Sequence, residues 1–287
     1  MTTRLGPATF AWGTRTYVMG ILNATPDSFS GDGLLVEDDG VPARAVALAE
    51  RMVADGADLL DIGGESTRPG HAPVDAASET RRVVPVVAAV RAALPAIPIS
   101  IDTTKPAVAE AALDAGADLV NDVWGVGEDD GLVRVAARRG VALVVMHNRA
   151  EPRYADLVRE VVADLRAALD RAVRLGADPD LLIVDPGFGF GKTPEQNLAL
   201  VRELGALRVL GRPILLGTSR KSTLGHVLDL PVGERLEATL ATTALGIAAG
   251  ADIVRVHDVR PNVRVARISD AIIRGTWRSQ PAEGGQT

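Results

Sequence analysis

Along nearly the whole chain, short apolar runs alternate with longer segments of helical periodicity, and the runs break off at polar residues or glycines. The runs are 17–22 into Asn23, 59–62 into Gly63, 97–101 into Asp102, 119–120 into Asn121 and Asp122, 142–146 into His147, 181–184 into Asp185, 214–216 into Gly217 and Thr218, and 253–256, which contains Arg255 and leads to His257. Helical patterning covers 43–54, 76–93, 106–114, 132–139, 157–174, 194–207, parts of 222–249 and 263–274. Strands that alternate strictly with helices run parallel, because each helix carries the chain back to the same end of the sheet. Eight such units in 287 residues predict an α/β chain folded as a closed (β/α)8 TIM barrel rather than a doubly wound sheet. We expect a single domain over 1–278, a short N-terminal hairpin over 8–17 with Gly13 at its centre plugging the barrel floor, and a frayed tail at 279–287.

A weak repeat supports this register. Gly-Ala-Asp recurs at 56–58, 116–118, 176–178 and 250–252, each time after a helical segment and just before an apolar run. Glycine suits the left-handed position that ends a helix, so the triplets are turn chemistry at the bottom of the barrel, and Asp58, Asp118, Asp178 and Asp252 are structural carboxylates.

Composition excludes several functions. Net charge is −6 with both signs interspersed, which gives no basic patch for nucleic acid or an anionic membrane. Cysteine is absent, removing disulfides, thiolate nucleophiles and thiolate metal sites. No segment approaches the ~18 consecutive apolar residues of a membrane span, and no targeting segment opens the chain, so a cytoplasmic location is expected.

The chemistry gathers at the strand ends. The stretch Ile-Val-Asp-Pro-Gly-Phe-Gly-Phe-Gly-Lys at 183–192 is a buried strand that stops at Asp185 and opens into a tight glycine loop. Its spacing fits neither the phosphate-binding nor the dinucleotide-binding glycine motif. Asn23, Asp102, Asn121, Asp185, Lys221, Arg255 and His257 all lie at or just past the C-terminal ends of strands, where barrels build their sites. Two carboxylates, an amide and an ammonium suit a flat heterocycle with donors and acceptors along its edges, and a pterin is one. A sugar phosphate or an amino acid uses similar groups.

Seven segments sharpen the choice: M-G-I-L-N-A-T-P-D-S-F-S at 19–30, D-I-G-G-E-S-T-R-P-G at 61–70, I-D-T-T-K at 101–105, N-D-V-W-G at 121–125, D-P-G-F-G-F-G-K at 185–192, G-T-S-R-K-S at 217–222 and R-V-H-D-V at 255–259. Together they resemble the dihydropteroate synthase family. The resemblance implies a TIM barrel that joins 6-hydroxymethyl-7,8-dihydropterin diphosphate to p-aminobenzoate in folate biosynthesis, releasing pyrophosphate by an SN1-like step, with Mg²⁺ and as a homodimer. It implies that the pterin is bound by Asp102, Asn121, Met146, Asp185, Phe190, Gly217, Lys221 and Arg255. It places p-aminobenzoate against Phe29, Thr67, Arg68, Pro69 and Ser219, the diphosphate at Asn23, Arg255 and His257, and Mg²⁺ at Asn23. Asp102, Lys221, Arg255 and His257 are then the catalytic set. For the homodimer, late apolar positions such as Leu236, Leu240 and Ile247 offer a face to bury.

Two other functions share these features. A pterin-dependent methyltransferase uses the same barrel but needs no aminobenzoate pocket, and a silent pterin-binding paralogue has no need of Asn23, Arg68, Lys221, Arg255 and His257 together. The first loop reads F-S-G-D-G where the family form is F-S-D-G-G, which displaces Asp32. His147 is expected to be packed or hydrogen-bonded, and His71 and His226 to lie on the surface. Asp61 and Glu65 are expected to accept from loop backbone amides, Asp122 to point away from Asn121, and Arg220 either to pair with a carboxylate or to bind an anion.

Overall fold

The computed structural model describes residues 1–24, 40–65, 74–125 and 130–277. Its centre is an eight-stranded parallel sheet made of β3 (Tyr17–Asn23), β4 (Leu59–Gly63), β5 (Ile99–Asp102), β6 (Leu119–Asp122), β7 (Ala142–Met146), β8 (Leu182–Asp185), β9 (Leu215–Leu216) and β10 (Ile253–Val256). The strands lie in the order β8-β7-β6-β5-β4-β3-β10-β9. A parallel bridge between Val184 and Ile214, with the Val184 amide donating to the Pro213 carbonyl at 2.9 Å, brings the two edges together and rounds the sheet into the predicted barrel.

Strands buried on both faces divide their side chains between two cores. Val18, Leu60, Ile101, Val120 and Val145 face outward against the helices, while Met19, Leu59, Leu119, Val144 and Ile253 fill the barrel. The surrounding helices are α1 (Val41–Ala54), α2 (Ala76–Ala93), α3 (Pro106–Asp114), α4 (Gly131–Arg139), α5 (Leu157–Arg174), α6 (Pro194–Arg202), α7 (Ser222–Leu228), α8 (Leu236–Ala249) and α9 (Val259–Arg274). Local signals set several starts: Asp75 accepts from the Ser78 amide, Asp156 from that of Arg159, and Thr193 forms a capping box with Gln196.

The floor differs in detail from the sequence reading. The antiparallel hairpin is β1 (Thr2–Leu5) with β2 (Ala8–Ala11), turning at Gly6, which holds φ +52°. It does not turn at Gly13, whose amide instead donates to Asp252 after the hairpin has ended. The plug itself is as expected, with Leu5 and Phe10 packed into the inner core beside Tyr17.

The Gly-Ala-Asp triplets act at this end. Gly56, Gly116, Gly176 and Gly250 hold φ between +97° and +112°. Asp58 takes the Val18 amide at 2.8 Å, Asp118 that of Ile99 at 2.8 Å, and Asp252 that of Ile214 at 3.0 Å, so each carboxylate satisfies an amide at the start of a neighbouring strand. Asp178 instead caps the 3-10 turn Pro179–Leu181.

Late in the chain three boundaries move. The helix expected over 194–207 ends at Arg202 and continues as 3-10 turns over Leu204–Leu210. The 222–249 stretch splits where Asp229 takes a left-handed φ of +54°, just before Pro231. The last helix begins at Val259, with Pro261 in its first turn, where a missing N–H breaks no helical bond. Ile247, expected on an apolar outer face, is instead buried against the barrel; Leu245 of α8 and Ile268, Ile272 and Ile273 of α9 are the exposed large apolar residues there among the described residues. Among the described residues no helix is long and apolar enough to cross a membrane.

Candidate functional site

Sheet register lines up the upper rim. Asn23 pairs with Gly63, Gly63 with Asp102 and Asp102 with Asn121, placing these residues at one level on adjacent strands, and Met146 pairs with Asp185 further round. Asp61 and Ser100 pair one layer down, two residues before Gly63 and Asp102, so their side chains point into the same space.

At the heart of the rim is a charged knot. The Arg255 guanidinium, on β10, donates through Nε to Asp61 Oδ2 at 2.5 Å and through Nη2 to Asp102 Oδ2 at 2.6 Å. Asn121 Nδ2 donates to the same Asp61 oxygen at 3.1 Å. Burial pushes the Asp102 carboxyl up to about 7, with Arg255 opposing it. Burial also works against the Arg255 charge, but Asp61 and Asp102 outweigh it and hold the guanidinium above its ordinary value. Among the described residues, four buried acceptors here lack partners: Asp61 Oδ1, Ser100 Oγ, Asp102 Oδ1 and Asn121 Oδ1. Buried polar atoms are costly when unpaired, so a set of them at and just below one rim marks a place for a polar guest.

Opposite the knot, Asp185 accepts the Gly187 amide through Oδ1 at 2.7 Å, and burial raises its pKa against the pull of Lys221. Lys221 Nζ donates to the Phe188 carbonyl and lies 4.4 Å from the centroid of the Phe190 ring. Burial lowers Lys221 to about 8. Gly217 leaves room beside Arg255, and Met146 is buried at the end of β7. Ser219 Oγ lies 3.0 Å from His257 Nδ1 and accepts the His257 amide at 3.1 Å. Arg220, between Ser219 and Lys221, holds φ +57° and pairs with Asp258 at 3.0 and 2.6 Å, which settles it as a structural pair. The arrangement therefore offers acceptors from Asp102, Asn121 and Asp185, a donor from Lys221, and an aromatic wall from Phe190.

The remaining expectations divide. Phe29, Thr67, Arg68 and Pro69, with Asp32 and His71, lie outside the described residues. His147 is fully buried and hydrogen-bonded, His226 is exposed, and Asp122 accepts the Trp124 amide in the following turn, all as expected. Glu65 does accept a backbone amide, from Val74, and also binds Lys105. Asp61 is corrected: its bonds go to the Arg255 and Asn121 side chains and not to loop amides, because it points inward from within β4. A carboxylate in the middle of an otherwise apolar run was the signal available in the sequence.

Comparison with known proteins agrees with this geometry. The profile of the pterin binding enzyme family matches residues 19–257. Dihydropteroate synthase of Clostridium beijerinckii is 47% identical over 94% of this chain and 99% of its own length. The crystal structure of dihydropteroate synthase from Clostridium difficile in the presence of pteroic acid superposes with a TM-score of 0.88 at 48% identity, covering 92% of this chain and 99% of that one. Xanthomonas albilineans dihydropteroate synthase with 4-aminobenzoic acid gives a TM-score of 0.84 at 40% identity, covering 90% and 93%. With the family profile spanning most of the barrel and relatives matched almost end to end, this chain belongs to the dihydropteroate synthase family of pterin binding enzymes.

Proposed function

We propose that the chain condenses 6-hydroxymethyl-7,8-dihydropterin diphosphate with p-aminobenzoate to give 7,8-dihydropteroate and pyrophosphate. The observation that carries this reading is the row of acceptors on Asp102 and Asn121, unpaired among the described residues, close to the opposite charges of Asp185 and Lys221. The aminopyrimidinone edge of a pterin presents adjacent N–H donors to such acceptors, and its ring oxygen takes the Lys221 ammonium. Pteroic acid, present with the Clostridium difficile relative, and 4-aminobenzoic acid, bound to the Xanthomonas albilineans relative, fit the two halves of this chemistry.

In this reading Asp102, Asn121, Asp185 and Lys221 grip the ring edge, while Met146, Phe190 and Gly217 wall its faces. Arg255 packs beside the ring and, with His257, binds the diphosphate. Phe29, Thr67, Arg68, Pro69 and Ser219 receive p-aminobenzoate. The C–O bond between the pterin methylene and the diphosphate breaks, and its electron pair leaves on pyrophosphate. The electron-rich dihydropterin delocalises the resulting cation, with the Asp102 carboxylate nearby as counter-charge. The aminobenzoate nitrogen then forms the C–N bond and loses a proton. A weak amine held against a cation needs positioning more than a base.

Mg²⁺ fits this donor set in one way. Among the described residues no cluster of three or more His, Asp or Glu is set to hold a metal, so the protein ligand would be the neutral oxygen of Asn23, with substrate phosphates and water completing the shell. When bound, the ion neutralises charge on the departing pyrophosphate. We further infer a single-domain cytoplasmic enzyme and a homodimer that buries Leu245, Ile268 and Ile272. The deciding experiment incubates the protein with the pterin diphosphate, p-aminobenzoate and Mg²⁺ and follows pyrophosphate and dihydropteroate together. Absence of both products from correctly folded protein overturns the reading.

A further inference from the structure

Behind the glycine loop lies a line of polar groups, running from the buried His147 to part-exposed partners, that the reaction above does not use. His147, just past β7, approaches Asp164 Oδ2 of α5 through Nε2 at 3.1 Å and Lys192 Nζ through Nδ1 at 3.0 Å. An ionised carboxylate only accepts, so Nε2 carries the ring proton and Nδ1 offers its lone pair to Lys192. Burial, then the Lys192 charge, hold His147 down to about 4, in keeping with that neutral tautomer. Asp164 is itself fixed by Arg149, whose Nε and Nη2 lie 2.9 and 2.8 Å from the same oxygen.

Lys192 Nζ also donates to the carbonyl of Phe190 at 2.9 Å, of Gly187 at 3.1 Å and, at longer range, of His147 at 3.4 Å. Three ammonium protons thus meet three acceptors within 3.1 Å: the His147 ring and two loop carbonyls. The loop needs such a clamp. Gly187, Gly189 and Gly191 all take positive φ, a conformation that the free chain samples among many others. The loop is also pressed against its support, since a Cβ on Gly187 would meet the His147 carbonyl and one on Gly191 that of Arg149. On its other side the same loop supplies the Phe188 carbonyl that receives Lys221 and the Phe190 ring beneath it.

We propose that Lys192 is a positioning residue: held by the Asp164–His147 pair, it pins the Gly187 and Phe190 carbonyls and so fixes Asp185, Phe190 and Lys221 in the geometry that receives the pterin. This rests on the pterin reading above, and the test separates the two. In Lys192→Met, exchange of the Gly187, Gly189 and Phe190 amides should quicken about tenfold or more, the scale of one charge-assisted hydrogen bond, while α5 and α6 amides keep their protection. The dissociation constant for 6-hydroxymethylpterin should rise by a similar factor, and the KM for p-aminobenzoate should stay within about threefold.

The chain has no cysteine, so Lys192→Cys can be alkylated at that one position. Aminoethylation should restore loop protection and pterin affinity, and an S-ethyl group of similar length should restore neither. This pair also carries the test if Lys192→Met fails to fold. Unchanged loop exchange, or equal recovery with the uncharged chain, overturns the proposal. If the wild-type protein binds no pterin, the pterin reading falls and amide exchange alone decides the positioning role.

Discussion

Arg255 reaches past β3 to Asp61, and the oxygen it bonds on that carboxylate also holds the Asn121 amide. Two residues facing the proposed ring are thereby aimed by one fully buried group that does not itself reach the rim. Asp61→Ala should leave Arg255 with Asp102 as its one remaining carboxylate bond among the described residues and destabilise the free protein by about 3–5 kcal/mol, the usual cost of breaking a buried pair from one side. Urea unfolding measures this, and an unchanged midpoint would show that the knot is dispensable for stability.

Asp185→Asn should weaken pterin binding while leaving the fold intact. The Gly187 amide already occupies Oδ1 at 2.7 Å, so an asparagine must turn its oxygen to that amide and its NH2 toward the ring's own donors. Hydrogen bonds to charged groups contribute about 1.5–3 kcal/mol, a loss of roughly ten- to a hundredfold in affinity. Calorimetric titration with a pterin checks it; equal affinities would misplace the ring.

Pterin affinity should be greatest between about pH 7 and about 8. Below that window Asp102, raised by burial to about 7, takes up a proton and loses acceptor strength. Above it Lys221, lowered by burial to about 8, gives one up and loses its charge. In Lys221→Met the alkaline fall near 8 should vanish, leaving the acid fall and the loss that belongs to Lys192, which burial lowers to about 7. A profile in which the limb near 8 survives that substitution would assign it to a group other than Lys221.

Asp118→Ala should separate the two ends of the barrel. It removes the acceptor of the Ile99 amide and the partner of Arg91, a loss of about 1–3 kcal/mol in stability. The KM values for both substrates should be unaffected, since the residue caps the bottom of β5. A changed KM for either would mean that the floor and the rim are mechanically linked.

How legible all this was depends on how local each determinant is. The helices Ala76–Ala93, Pro106–Asp114 and Leu157–Arg174 are readable to the residue, because prolines, aspartate caps and a sustained apolar stripe mark them within their own sequence. Convergence of Asp102, Asn121, Asp185 and Lys221 is readable because strand ends in a barrel meet whatever the loops do. The hairpin was misplaced because two strands of four residues give period-two alternation too few repeats to register against a glycine at the wrong turn. Asp61 was assigned to the wrong partners, and Lys192 was given no role, for the opposite reason. Their partners, Arg255 at one and His147 at the other, are distant in sequence, and nothing adjacent to either residue announces them.

The plug at the barrel floor also bears on how the chain is made. Leu5 and Phe10 share the inner core with Leu215 and Ile253, so β1 and β2 bury side chains against strands made more than 200 residues later. At about 5–20 residues per second, roughly 12 to 50 seconds of translation separate the hairpin from β10, and during that interval the floor that its apolar face closes is incomplete. The ribosome therefore releases the two ends of this core at nearly opposite times, and a chaperone able to shield residues 1–11 during that wait would act on the segment whose docking completes the fold.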